Sequence, residues 1–476
     1  METINLEYDK RSPKSIETYG KKILGKTFRE VVEEDDSSLN NKTSSDYGNS
    51  SVNEKKRNKG YLGDLLEEKY FHYQNNNDAR PDFEEAGVEL KVTPYKELKN
   101  GKISAKERLV INKINYQNDV GVDFEHSHFW QKAKLMLLVY YRYVKEISDS
   151  LDYKIGYVDL FTPPDKDLQV IKHDYETIIT KIKAGKAHEL SEADTDYLAA
   201  THKASTSKDS TTQPFSDIPA QPRAFSYKPS YMTYVLNNYI IPGKKTYESI
   251  IEVNDVKTDF ETFVKERLLS YQGESKKSLI DKFHIEFIGK EPKNIVSMLV
   301  YRMLGIKSNQ AEEFAKANIV IKTIRIGKNG KIKENMSFPA FKYNELVKES
   351  WEDSTFGNYL RETRFLFVVF KYDNNDNLIF KGCQFWNIPY SDLEQVHIVW
   401  EKTKKCLQNG LEIRKINGHY EDNFPKQSEN NVCHVRPHGV DSNDTDTLPD
   451  GREYPKHCFW LNNSYILSQL DKNLIN

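Results

Sequence analysis

Apolar residues change their spacing between residues 59 and 93 in a way that predicts a helix, a loop and a strand in turn. Leu62, Leu65, Leu66 and Tyr70 recur every three or four positions, the signature of an amphipathic helix over Lys59–Phe71. That helix should end near Asn75–Asn77. Further on, Val88, Leu90 and Val92 alternate with Glu89, Lys91 and Thr93, the period of a half-buried strand. Side chains two residues apart on a strand share a face, so Glu89 and Lys91 should stand about 7 Å apart at Cα. Gly87 can supply the bend that carries Asp82 back towards them. The preceding helix can then present Glu67 beside Asp82.

Two carboxylates and an amine on one patch can hold a divalent cation and a reactive water, the set with which nucleases hydrolyse phosphodiesters. The same residues also describe a solvated strand face with an ion pair, so the flanks must decide. Lys59-Gly-x-x-Gly-x-Leu-Leu-Glu67, Asp82-Phe-x-x-x-Gly-Val-Glu89-Leu-Lys91 and Glu125-x-Ser127-His128-x-x-x-Lys132-x-Lys134 occur in that order. Together they resemble the MutH family, the mismatch-repair endonucleases that nick at GATC. The longer chain looks more like the GATC-cutting type II restriction endonucleases related to them.

That resemblance implies an α/β (α+β) restriction-endonuclease-like core of the PD-ExK type. It implies Mg²⁺-dependent cleavage of double-stranded DNA at GATC, leaving 5′-phosphate and 3′-hydroxyl ends. Asp82 and Glu89 would hold the metal, with the Leu90 carbonyl as a further ligand. Glu67 would bind a second ion or ordered water, Lys91 would orient the attacking water, and Lys132 would reach the phosphate. His126 and His128 read as capping or structural residues, or as general bases. A methyl-directed nicking enzyme and a non-cleaving GATC-binding protein are the alternative readings.

Composition sets wider bounds. A chain of 476 residues exceeds one ordinary core, so two domains are expected. No run of eighteen apolar residues and no basic-then-apolar leader occurs, so neither a membrane span nor a signal peptide is expected. The four cysteines, Cys383, Cys406, Cys433 and Cys458, contain no Cys-x-x-Cys pair. Buried thiols in a reduced, cytoplasmic protein are the plain expectation, ahead of metal ligation by Cys433–His434 or His457–Cys458. Net charge is −2, but basic residues cluster at Lys55–Lys59 and from Lys91 to Lys113. Local patches suffice for phosphate contacts.

The second half echoes the first. Gly25 falls on Gly273, the helix Lys59–Phe71 on the segment from Lys293, Asp82–Thr93 on Glu313–Thr323, and Glu125–Phe129 on Glu352–Phe356. Four echoes in one order predict a duplication. Glu67 would then correspond to Tyr301, Glu89 to Val320, and Lys132 to Tyr359 or a neighbour. A valine cannot ligate a cation, so the second copy should bind or regulate rather than cut.

The expected layout is a catalytic domain over 1–240, a linker over 241–257 and a degenerate domain over 258–476. Residues 34–58 and 203–222 read as polar loops. By the same resemblance Lys203, Arg223, Tyr227 and Lys228 would touch DNA in the first half, with Ser226 where the family carries a tyrosine. Arg436, Pro437, His438, Arg452 and Lys456 would touch an effector DNA in the second. One active site per chain and a symmetric target suggest a chain that is single in solution and paired on DNA.

Overall fold

The computed structural model describes residues 6–40, 60–73, 80–98, 101–203, 209–241, 260–287, 289–306, 311–416, 419–439, 441 and 443–475. The linker expected over 241–257 and the basic run Lys55–Lys59 lie outside the described residues, Ile241 excepted. Two compact units separate: Met1–Thr246 with Ala315–Ala317, and Tyr247–Phe314 with Asn318–Asn476.

The first unit is built on a four-stranded sheet in the order Ile103–Ala105, Glu89–Glu97, Met136–Arg142, Lys154–Phe161. The central pair is parallel, with Glu89 beside Met136 and Tyr95 beside Arg142. Both outer pairs are antiparallel. A parallel pair needs a crossover connection, and here it ends in the short helix His128–Ala133. Met136 to Tyr140 are all buried, an unbroken apolar run of the kind a strand covered on both faces requires. Ile16, Phe28, Leu66, Phe71, Val88, Leu137 and Val158 fill the core on one side. A second antiparallel sheet orders Leu109–Lys113, Arg223–Tyr227 and Leu198–His202.

The second unit repeats the plan. Ile319–Ile326 runs parallel to Arg364–Tyr372, which pairs antiparallel with Leu378–Trp386. Gly25 and Gly273 both take left-handed backbone, at φ 82° and 86°. Their N–H groups donate to equivalent carbonyls, Ile155 and Phe380, on the antiparallel strand that flanks the parallel pair in each sheet. Gly87 and Asn318 are both left-handed, at φ 64° and 54°, just ahead of the parallel strand. Ser127 and Ser354 both cap the crossover helix. A shared apolar period could not produce matched caps and matched left-handed turns, so the duplication is structural.

Two loop expectations need correction. Residues 34–40 continue the helix Phe28–Asn40. Residues 211–220 form a hairpin, Thr211–Gln213 with Ser216–Ala220. Its polar side chains support that hairpin: Gln213 accepts from the Ala187 N–H at 2.8 Å and donates to the Ile218 carbonyl at 2.5 Å. Among the described residues, no helix is long and apolar enough to cross a membrane.

Candidate active site

Glu67 sits where its helix changes register. Tyr61–Leu65 is α-helical, and Leu66–Tyr70 widens into a π-turn closed by Phe71 N–H to the Leu66 carbonyl at 2.9 Å. Such turns re-aim a helix's side chains and are frequent at functional sites. Asp82 is delivered by the turn ahead of the parallel strand. Phe83 and Val88 exchange backbone hydrogen bonds of 2.9 and 3.2 Å across left-handed Gly87, folding Asp82 back over the strand start. The Asp82 N–H donates to Glu89 Oε2 at 3.3 Å, and the Leu90 N–H donates to Asp82 Oδ2 at 2.8 Å.

Glu89 opens the strand, its side chain only 2 % exposed. Lys91 Nζ, from the same face, lies 2.7 Å from Glu89 Oε1. Lys132, from the crossover helix, brings its Nζ to 3.1 and 3.3 Å from the two Glu89 oxygens. Helix, turn, strand and crossover helix thus bring Glu67, Asp82, Glu89, Lys91 and Lys132 into one locality.

The site carries excess negative charge on its other side. Burial pushes the Glu67 carboxyl up to about 7, with Asp82 and Asp64 adding to the rise. Burial and then Glu89 push Asp82 up to about 6, against the opposing pull of Lys91, the Leu90 N–H and Lys132. Partly buried carboxyls held this far from their ordinary range are poised for a cation. Among the described residues, no three His, Cys, Asp or Glu side chains close around one point, and Glu89 leans on two lysines. The donor set still fits Mg²⁺, which uses one or two carboxylates and keeps several waters.

A feature that the sequence reading missed is Tyr73. Its hydroxyl is buried without a hydrogen-bond partner, and its pKa is driven far above the usual phenol value by burial, then by Asp82, Glu67 and Glu89. The helix stops at Tyr70, short of the expected end near Asn75–Asn77, so Tyr73 falls outside it, and no periodicity marks the residue. Asp174 was missed too. It is fully buried, and accepts from the N–H groups of Asp196, Tyr197 and Leu198 at 2.7–2.9 Å, anchoring the segment that leads into the strand Leu198–His202. His126 pairs with Asp123 at 2.8 Å beside its own short turn, a local capping arrangement.

The family model described as DNA mismatch repair enzyme MutH matches twice, over residues 71–174 and 304–397. Over 459 residues, 87% of this chain and 93% of the relative, the sequence is 36% identical to the type II restriction enzyme Sau3AI of Staphylococcus aureus. The chain belongs to the MutH-related type II restriction endonucleases. MutH proteins of Shewanella baltica (strain OS185) and Vibrio campbellii are each 27% identical, over 38% and 39% of this chain and 80% and 81% of their own lengths.

As a member of these endonucleases the chain is a site-specific hydrolase of DNA with tandem MutH-like domains. The positions expected to touch DNA in its first unit fall into two groups. Lys203 is exposed at the end of its strand. Arg223, Tyr227 and Lys228 are buried, contrary to the expectation that they face DNA. Arg223 donates to the Ala200 carbonyl at 2.7 Å, and Lys228 to the Thr195 carbonyl. The strand Arg223–Tyr227 lies in the middle of its three-stranded sheet, so these side chains are used to hold the sheet. Ser226 is buried against Thr201 through their hydroxyls.

In the second unit Arg436, Pro437, His438 and Arg452 are exposed. Arg436 stacks its guanidinium over Trp460 at 5.6 Å, and Arg452 is held by Asp450 at 2.6 Å and the Leu411 carbonyl at 2.7 Å. Lys456 pairs with Asp444.

The strand register of the second unit, Val320 beside Phe365 as Glu89 beside Met136, puts valine at the carboxylate position. Lys322 keeps the place of Lys91 and donates to the Ser337 carbonyl at 3.2 Å. Burial pulls its ammonium below the usual range. The crossover helix Thr355–Glu362 is two residues longer than its counterpart of six. Counting from the cap therefore matches Lys132 to Tyr359, and counting from the strand matches it to Arg361.

Proposed function

We propose that this endonuclease cuts both strands of double-stranded DNA at GATC by Mg²⁺-dependent hydrolysis, leaving 5′-phosphate and 3′-hydroxyl ends. We further propose that its second unit binds another GATC copy and favours cleavage by the first. The observation that carries the catalytic reading is the convergence of two lysines on Glu89 beside Asp82 and Glu67. The degenerate counterpart at Val320 supports a single active site per chain.

In this reading Asp82 and Glu89 hold the metal together with the Leu90 carbonyl, and Glu67 takes a second ion or ordered water. Bound Mg²⁺ relieves charge on the non-bridging and leaving oxygens and makes its water more acidic. The chain's own part is positional. The Leu90 N–H fixes one Asp82 oxygen and leaves the other to bind. Once Glu89 serves as a ligand, Lys91 orients the attacking water and Lys132 meets the scissile phosphate. Lys203 contacts the DNA backbone, while Arg223, Tyr227 and Lys228 support the strands beneath it. Two chains related by a two-fold axis then match the symmetry of the target.

Digestion of unmethylated and adenine-methylated GATC plasmids with Mg²⁺ tests this. Linear product with 5′-phosphate ends is expected. Nicked circles alone would favour a mismatch-repair-type nicking enzyme, and binding without cutting would favour a GATC-binding protein.

A further inference from the structure

We infer that Tyr73 is a positioning residue of the active site, whose hydroxyl hydrogen-bonds a water in the shell of the cation held beside Asp82 and Glu67. This rests on the metal-dependent reading proposed above and deepens it.

The phenol is unlike its neighbours. In the same aromatic cluster Tyr8 donates to the Phe71 carbonyl at 2.8 Å, Tyr70 to the Tyr19 carbonyl at 2.7 Å and Tyr19 to the Tyr70 carbonyl at 3.4 Å. The Tyr73 hydroxyl is buried with no partner. Buried hydroxyls are almost always satisfied, and one that is not calls for an explanation.

Its location supplies one. The Tyr73 N–H donates to the Glu67 carbonyl at 3.1 Å. Its ring packs on Phe83, 5.1 Å between centroids, and Phe83 directly follows Asp82. The ring is therefore fixed to both segments that deliver the carboxylates. Just before it, His72 takes left-handed backbone at φ 52°, a conformation that side chains other than glycine adopt rarely. That residue ends the helical path just after the π-turn and leaves the Tyr73 N–H on the Glu67 carbonyl.

The chemistry narrows the role. A neutral phenol is a poor competitor with carboxylates for Mg²⁺, but Mg²⁺ keeps several waters whose hydrogens need acceptors. A tyrosine hydroxyl both accepts and donates, so it can take a hydrogen bond from such a water and pass its own to a carboxylate. Groups that orient a metal's ligands in this way commonly change affinity or activity by ten- to a hundredfold when lost.

The test is Tyr73→Phe in the full chain, with melting followed in EDTA and across a Mg²⁺ titration without DNA. Since no internal hydrogen bond is lost, the variant should melt in EDTA at the wild-type temperature or above. The Mg²⁺ concentration giving half of the metal-induced rise should increase by about tenfold. Cleavage should lose kcat by a similar factor, with KM for DNA unchanged. Asp82→Asn serves as the control that abolishes the metal response. A Tyr73→Phe titration matching wild type would overturn the inference, as would a lower melting point in EDTA, which would make the hydroxyl structural. If wild type itself showed no metal-induced rise, the metal reading would fail and this inference with it.

Discussion

Glu89→Gln and Asp82→Asn should both stop cleavage, yet they should move stability in opposite directions. Glu89 is buried and is the shared partner of Lys91 and Lys132, whose side chains are only 18 % and 13 % exposed. Removing one member of a buried ion pair costs about 3–5 kcal/mol, because the remaining charge is left without compensation. Glutamine keeps an acceptor for one lysine, so the lower end, about 3 kcal/mol, applies. Asp82 is the reverse case. Its carboxyl is raised from 3.8 to about 6, so at pH 8 its charge opposes folding by roughly 2–3 kcal/mol. Asparagine removes that charge and still accepts from the Leu90 N–H, losing about 1 kcal/mol of charge assistance. Asp82→Asn should therefore be neutral or stabilising by about 1–2 kcal/mol. In EDTA at pH 8, Glu89→Gln should melt about 6–12 °C below wild type at this domain size, and Asp82→Asn at or above it. Equal losses in the two variants, or an unaffected Glu89→Gln, would refute the assignment of Glu89 as the keystone of the lysine pair.

Other outcomes follow from the same geometry. The folded carboxyls of Asp82 and Glu67, raised to about 6 and about 7, bind protons that the unfolded chain has already released. Metal-free stability should thus fall as pH rises from about 4 through 7. The Mg²⁺-induced rise in melting temperature should grow over the same range, and Glu67→Gln should flatten its upper part. Lys91→Ala should abolish cleavage while keeping the Mg²⁺ response, and loss of that response in a melting titration would reassign Lys91 as part of the metal site. Arg436→Ala with Arg452→Ala should erase the advantage of two-site over one-site plasmids and leave basal cleavage, with coupling of about 5- to 150-fold in affinity for the helper duplex. Equal rates of wild type on both plasmids would exclude a helper site. Gly156→Ala should destabilise the first unit by about 1–3 kcal/mol, because the added carbon would meet the Tyr95 hydroxyl and ring edge and force that side chain to move, and a wild-type melting curve would contradict that.

The gathering of Glu67, Asp82, Glu89, Lys91 and Lys132 was legible because each of its parts obeys a local rule. The alternation Val88-Glu89-Leu90-Lys91 fixes the strand and its polar face, and Gly87 marks the turn. The duplication was legible through Gly25 and Gly273, since a left-handed position leaves a trace in sequence. Burial of Arg223, Tyr227 and Lys228 was not legible. Their segment, Arg223-Ala-Phe-Ser-Tyr-Lys228, mixes polar and apolar residues, and only its central place in a sheet shows that both faces are covered. Tyr73 and the π-turn escaped for a related reason: a one-residue widening of a helix has no compositional mark. The hairpin at 211–220 was hidden in a polar stretch because its polar side chains bond to its own backbone and to the adjacent turn at Ala187–His188.

With valine at the carboxylate position, the second unit also lacks the partners that a carboxylate there would need. A carboxylate restored at Val320 would find no waiting partner: Lys322 is committed to the Ser337 carbonyl, and Arg361 is folded onto the Trp351 and Glu352 carbonyls at 3.3 and 2.9 Å. Such a change would place an isolated charge against the apolar cluster that Val320 now adjoins. In the single-active-site reading, each intermediate step back would be less stable than the present state, so the second unit's departure from the carboxylate–lysine pattern acts as a ratchet. The two copies can then diverge in what they recognise without competing over which of them cuts.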